Sequence, residues 1–187
     1  EGLLEQTPNR GTTVVQLKRQ DIVDLYELRE VLECYAAGKA ARLKPYSSEI
    51  EQWQKHADEI LALKEELEKS GKPRLNAEQM RRFMAADHNF HGILMQLAAN
   101  ARMLKVVTDS RLLIRIFALG HQAYDASQLD RLYRQHDQII RAVSDQNPEL
   151  ATKLITEHIR TSKEERLAAV DAWERDVAMR KNMATFV

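Results

Sequence analysis

Residues 77–98 read AEQMRRFMAADHNFHGILMQLA. Phe83, Phe90, Leu94 and Leu97 recur there at separations of three, four and seven, which is one face of an amphipathic helix. Asp87 and His91 fall on that same stripe, so an acid and an imidazole point where the phenylalanines point. The stretch is therefore a core helix with titratable groups on its inward side.

The pattern continues outward in both directions. Gly71-Lys72-Pro73 ends a preceding helix, which Ser47 caps and whose stripe is Ile50, Trp53, Ala57, Ile60, Leu61 and Leu67. Before it, residues 21–43 carry Leu25, Leu28, Leu32, Tyr35 and Ala36 at helical spacing and stop ahead of Pro45. Asn100 is placed as the N-cap of a fourth helix reaching about residue 119, where Gly120 weakens continuation. A fifth spans about 127–145. After Asn147-Pro148, a cap with proline at the first helical position, a sixth runs past Trp173. Only six glycines and four prolines occur in 187 residues, so little interrupts helix formation. The expected fold is all-α: an antiparallel bundle of six to seven helices over residues 18–178, followed by a tail at 179–187.

Residues 1–17 differ in kind. Two short β-type runs, 3–6 and 12–16, flank Pro8-Asn9-Arg10-Gly11, a turn signal, and so predict a hairpin. Two strands rarely stand alone in water, so this piece reads as the remnant of another domain.

Composition narrows the function. With 28 basic and 28 acidic residues the chain has no global attraction to nucleic acid or an anionic membrane. A single cysteine, Cys34, supports no disulfide framework, and without an activating base nearby it reads as a packed residue. No apolar run is long enough to span a bilayer, and no leader pattern opens the sequence, so a cytoplasmic protein is expected.

The histidines carry the chemistry. Leu129, Leu132, His136, Ile140 and Val143 form the stripe of the fifth helix, and Leu150, Leu154 and His158 that of the sixth. Three helices thus each send polar, metal-competent groups inward. Left unsatisfied, each would cost roughly 1–3 kcal/mol, and together they would rival the roughly 5–15 kcal/mol that stabilises a domain. A divalent cation held by Asp87, His91, His136 and His158 satisfies all four. An Asp–His hydrogen-bond network with water is the alternative. Zinc is the first choice of metal, with nickel, manganese, iron and cobalt compatible with the same donors.

The runs LYELREVLE, DHNFHGILMQLAAN, HDQIIRAV and ELATKLITEHI resemble the FCD domain, the effector-binding domain of the FadR subfamily of GntR transcription regulators, over about residues 20–170. The resemblance implies that Asp87, His91, His136 and His158 are the metal ligands. It also implies a small organic acid as effector, dimerisation, and an effector-dependent change in operator DNA binding. Arg29 is the effector arginine it suggests, with Arg111 a second candidate. Either could equally be an edge residue whose stem packs while its head reaches water. GLLEQTPNRGTTV is similar to the wing of the GntR winged helix-turn-helix, which would place Arg10 and Gly11 near DNA in an intact regulator. No recognition helix accompanies it.

A regulator domain of this kind has no catalytic residue. The competing class is a helical metal phosphohydrolase of the His-Asp type, for which His136-Asp137 supplies the doublet. Adjacent helical residues point about 100° apart, which turns Asp137 away from the His136 stripe. His56 and His88 read as structural, and His121 is left open between cavity lining and capping.

Overall fold

The computed structural model describes residues 4–7, 11–14, 18–118 and 124–184, with side chains described for 18–110 and 124–179. Near the N-terminus, β1 (Leu4–Thr7) pairs antiparallel with β2 (Gly11–Val14), Leu4 opposite Val14 and Thr7 opposite Gly11. Arg10, His121 and the side chains of Gly11 and Arg111 lie outside the described residues.

Six helices follow: α1 (Arg19–Leu43), α2 (Ser47–Ser70), α3 (Ala77–Leu97), α4 (Ala101–Ala118), α5 (Ala126–Ser144) and α6 (Pro148–Ala184). Four of their starts are set by side-chain caps, whereas α2 has Tyr46 at its N-cap with no side-chain cap, so Ser47 is its first helical residue and not the expected cap. The Asn76, Asn100, Asp125 and Asn147 side chains accept from the backbone N–H groups of Gln79, Met103, Gln128 and Leu150, at 2.9, 3.1, 2.9 and 3.0 Å, satisfying donors that the first turn leaves open. At the other end of α2, Gly71 takes φ +64°, a left-handed stop that glycine adopts without strain.

α1 and α6 run antiparallel in close register. Arg19 pairs with Asp171, Lys163 with Glu27 and Arg160 with Glu30 along the rim, and Cys34 Sγ lies 2.9 Å from Thr156 Oγ1. A Cβ on Gly38 would stand 2.8 Å from Thr152 Oγ1, so glycine permits this approach. Burial pushes the Cys34 thiol up, as suits a packed rather than a nucleophilic cysteine.

Three further expectations need correction. The inward face of α1 is Ile22, Tyr26, Arg29, Glu33, Ala36, Ala37 and Ala40, whereas Leu28, Val31 and Tyr35 are 40%, 70% and 58% exposed. Of the expected stripe, Ala36 is buried and Leu25 and Leu32 pack partly buried against the core, while Leu28 and Tyr35 face outward because small residues make the close approach to α6. On α6, Leu150 is exposed and the buried stripe is Ala151, Ile155, His158 and Ile159. Finally, α6 continues to Ala184, through most of the stretch expected to be a tail.

The core falls into two apolar clusters. Ile60, Leu63, Leu67, Leu75, Met80, Phe83, Met84, Tyr124, Leu129 and Leu132 form one, at one end of the bundle. Trp53, Phe90, Leu94, Ile139, Val143, Ile155 and Ile159 belong to the other. On α3 the division falls between Ala86 and Phe90, and on α5 between Leu132 and Ile139. Asp87 and His136 occupy those gaps, so the polar groups sit at the seam between two dry interiors.

Candidate metal centre

Asp87 and His91 from α3, His136 from α5 and His158 from α6 meet at that seam, each offering a donor atom within 4.8 Å of the others. The three histidines are wholly buried or nearly so, while the Asp87 side chain is 26% exposed, making its side the open one. Asp87 Oδ1 lies 3.7 Å from His91 Nε2 and 3.8 Å from His136 Nε2, and His91 Nε2 lies 3.3 Å from His158 Nε2. His91 and His136 therefore turn Nε2 toward the carboxylate, and His158 turns its Nε2 toward that of His91.

Neighbouring groups fix how the rings stand. His136 stacks on Phe90 at 3.6 Å between centroids with planes 2° apart, and Phe90 in turn stacks on Trp53 at 5.0 Å. Trp53 Nε1 donates to the Phe90 carbonyl at 2.8 Å, which locks this ladder to the α3 backbone. His91 Nδ1 hydrogen-bonds Glu33 Oε2, and His158 Nδ1 hydrogen-bonds the Gln135 amide oxygen at 3.0 Å.

These outer bonds decide what the centre needs. A carboxylate and an amide oxygen both accept, so each Nδ1 carries the proton and each Nε2 presents a lone pair. Two such lone pairs then face one another at 3.3 Å. A bridging water would hold them about 4.4 Å apart, given ordinary hydrogen-bond lengths. Burial first, then the neighbouring His136 and His91, push His158 well below the usual imidazole value, which disfavours a proton on that ring. A cation about 2.0–2.2 Å from each donor separates adjacent donors by about 2.8–3.6 Å, and the separations of 3.3, 3.7 and 3.8 Å stand within or slightly beyond that range. The residues fit a divalent metal.

Arg29, only 4% exposed, donates from Nε to Glu33 Oε1 at 2.7 Å and lies 4.9 Å over the Tyr26 ring. Its guanidinium is held well above the usual range: burial opposes the charge, but Glu33, Tyr26 and Asp87 together prevail. Arg29 is thus a core residue and not an edge one. Asp137 pairs with Arg141 at 2.8 Å, outside the four-donor group, as the 100° argument requires. His56 and His88 line a separate polar cleft of about 420 Å³ between α2, α3 and α4.

Glu33, Gln135 and Arg166 had no role in the sequence reading. Glu33 was hidden by the partly misassigned face of α1. Gln135 precedes His136, and its neighbour's stripe gave no cue to it. Arg166 is buried, two turns beyond His158 on α6, and acts on Tyr124, whose phenol burial pushes up beyond its ordinary value. An arginine continuing the inward face of α6 was the available signal.

A helical bundle with a buried metal-chelating His/Asp cluster is the class that fold and site define. Residues 24–161 match the FCD domain, and the chain belongs to that family. It is 29% identical over 158 residues to a probable D-xylose utilization operon transcriptional repressor from Paenarthrobacter nicotinovorans, covering 84% of this chain and 63% of that protein. The chain thus spans under two thirds of that relative's length. Among solved structures, a GntR transcriptional regulator of Rhodococcus sp. RHA1 superposes with TM-score 0.65 at 22% identity, covering 90% of this chain and 74% of that one. McbR/YncC of E. coli gives TM-score 0.73 at 11% identity, covering 88% and 76%. At those identities the likeness speaks to fold alone. Family membership accords with a role that is not enzymatic. Among the described residues no helix is long and apolar enough to cross a membrane.

Proposed function

We propose that the chain is the ligand-sensing domain of a GntR/FadR-type transcription regulator. Asp87, His91, His136 and His158 hold a divalent metal, zinc first, and a small carboxylic or sugar acid binds beside it with Arg29 as its cationic partner. The observation that carries this reading is the facing pair of Nε2 lone pairs in the bundle core, beside a carboxylate and a buried arginine. A metal with three imidazoles and one carboxylate keeps open positions for an oxygen ligand. A guanidinium pairs with carboxylate oxygens through its planar fork. Arg111 stays a second candidate from its place on the sequence stripe of Leu104, Val107, Ile114 and Ala118.

In this reading the hairpin is the wing of a winged helix-turn-helix, with Arg10 and Gly11 near the DNA groove. The regulator acts in the cytoplasm as a homodimer on operator DNA. Paired helix-turn-helix heads read half-sites about one helical turn apart, so a small acid-driven helix shift alters operator binding.

The test is elemental analysis of the purified chain followed by a thermal-shift panel of lactate, citrate, gluconate and D-xylose. The sugar is included because the Paenarthrobacter relative's name mentions it. The expected result is bound metal, lost in His136→Ala, and an acid that stabilises the loaded protein by about 2.7 kcal/mol at a hundredfold excess over its Kd. No metal in wild type, or stabilisation only by neutral ligands, overturns the reading. Metal-dependent phosphatase turnover abolished by His136→Ala would favour the His-Asp hydrolase instead.

A further inference from the structure

We propose that Glu33, anchored by Arg29, is the positioning residue of the metal centre. The inference rests on the metal reading above and deepens it. Glu33 is fully buried on α1, a helix that contributes no ligand, and both its oxygens are engaged. Oε1 accepts from Arg29 Nε at 2.7 Å. Oε2 accepts from His91 Nδ1, with the ring approaching from α3.

The consequence for His91 is chemical. A neutral imidazole has one N–H and one lone pair, and an acceptor at Nδ1 assigns the proton to that side. Nε2 is then left as a donor to the metal, aimed at Asp87 and His158. A carboxylate behind a ligating imidazole also raises its basicity and fixes its ring orientation. Gln135 does the same for His158 with a neutral amide oxygen, so the two ligands are supported by acceptors of different strength.

The consequence for Arg29 concerns coupling. Its hydrogen bond to Glu33 uses Nε rather than the two terminal nitrogens. An anion drawn to those nitrogens pulls on the group that holds Glu33, and through Glu33 on His91. A path of two hydrogen bonds therefore joins the acid-binding arginine to the metal shell. No direct contact between acid and histidine is needed.

The experiment uses the full chain, zinc as the probe, and histidines labelled with 15N. In the metal-free wild type, long-range nitrogen–proton spectra are expected to show His91 as the Nδ1–H form. In Glu33→Gln the amide has one acceptor oxygen to serve two donors. His91 should then become a mixture of tautomers, and zinc affinity, read by competition with a chromogenic chelator, should fall about 10–100-fold. Glu33→Asp, which keeps two acceptor oxygens, should recover part of that loss. A wild type that binds no zinc sinks the metal reading itself. A wild type that binds zinc while Glu33→Gln keeps both its affinity and its His91 tautomer sinks the role of Glu33 alone. Should Glu33→Gln fail to fold, the wild-type spectrum decides: His91 as Nε2–H overturns the proposal.

Discussion

The turns of α3 before Asp87 pack Met80, Phe83, Met84 and Ala86 against Leu67, Leu75, Tyr124 and Leu129, while the turns after it set Phe90 and His91 among Trp53, Glu33, His136 and His158. One helix thus serves two kinds of interior. At the first end, stability is the removal of apolar surface from water, and each residue contributes whatever the rest of the chain is doing. At the second, polar groups are mutually dependent: each lone pair is tolerable only when a proton or cation answers it. The difference teaches where this domain can be switched. A ligand has purchase on the seam and little on the apolar end.

Truncation at the apolar end gives the largest expected effect. Phe83 lies 4.4 Å from Tyr124 between ring centroids and is buried. Phe83→Ala should cost about 3–5 kcal/mol in denaturant unfolding. The comparison requires that this loss be the same, within about 0.5 kcal/mol, with metal bound or stripped, because independent sites add. A larger discrepancy would mean that the two ends form one unit.

Stripping the metal comes next. Removing a ligand held at a hundredfold over its Kd should lower stability by about 2.7 kcal/mol. Hydrogen exchange should quicken around Phe90–Leu94 and in the turns of α5 and α6 that carry His136 and His158. The amides near Phe83 should respond only through global unfolding. Uniform loss of protection along α3 would break the distinction between its halves.

The metal-free protein should also show a pH dependence that begins at the seam. Burial holds His158 neutral in the folded chain well below 6.5, its ordinary value, where the unfolded chain takes up a proton. Above about 6.5 both states are neutral at this group and it contributes no slope. As pH falls below that value the unfolded state binds the extra proton, so stability declines by up to about 1.4 kcal/mol per pH unit until the folded imidazole also titrates. His158→Gln should flatten that slope in metal-free unfolding curves. An unchanged slope would show that other groups set the acid sensitivity.

The same contrast explains what was legible in the sequence. The apolar stripes of α2, α3 and α5 gave those helices directly, because Trp53, Phe83, Phe90, Leu129 and Leu132 are inside by virtue of size. Asp87, His91 and His136 were found as exceptions to such stripes. α1 was legible only in part. Beyond Ile22 and Tyr26 its inward face is built of alanines, a glycine approach to α6, and the Arg29–Glu33 pair, none of which raises a hydrophobic signal. Meanwhile Leu28 and Tyr35 raised one on the outer side. Glu33 could be recognised only once α1 was laid against α3, since its meaning lies in which two donors it joins. Gln135 was likewise invisible, because an amide next to a ligand becomes informative only when its oxygen is seen on His158.

The smallest expected effect comes from charge at the apolar end, and it tests whether charge matters there at all. Arg82 donates to Glu59 at 2.8 Å and to both oxygens of Glu66 at 2.9 Å, tying α3 to α2 outside the core. Those bonds, together with the paired charges, hold its guanidinium above the usual range and Glu66 below the usual carboxylate range. Solvent nevertheless reaches all three side chains, and exposed pairs are typically worth only about 0.2–1 kcal/mol. Arg82→Met should therefore cost no more than that at low salt, and less as salt screens the network. Arg29→Met leaves Glu33 buried without its cation, so it should cost about 3–5 kcal/mol and respond weakly to salt. An arginine–carboxylate contact is cheap to lose where water can replace either partner and expensive where none can. Equal losses for the two variants would show that the seam is as well solvated as the rim, and would remove the physical basis for a cation-dependent core.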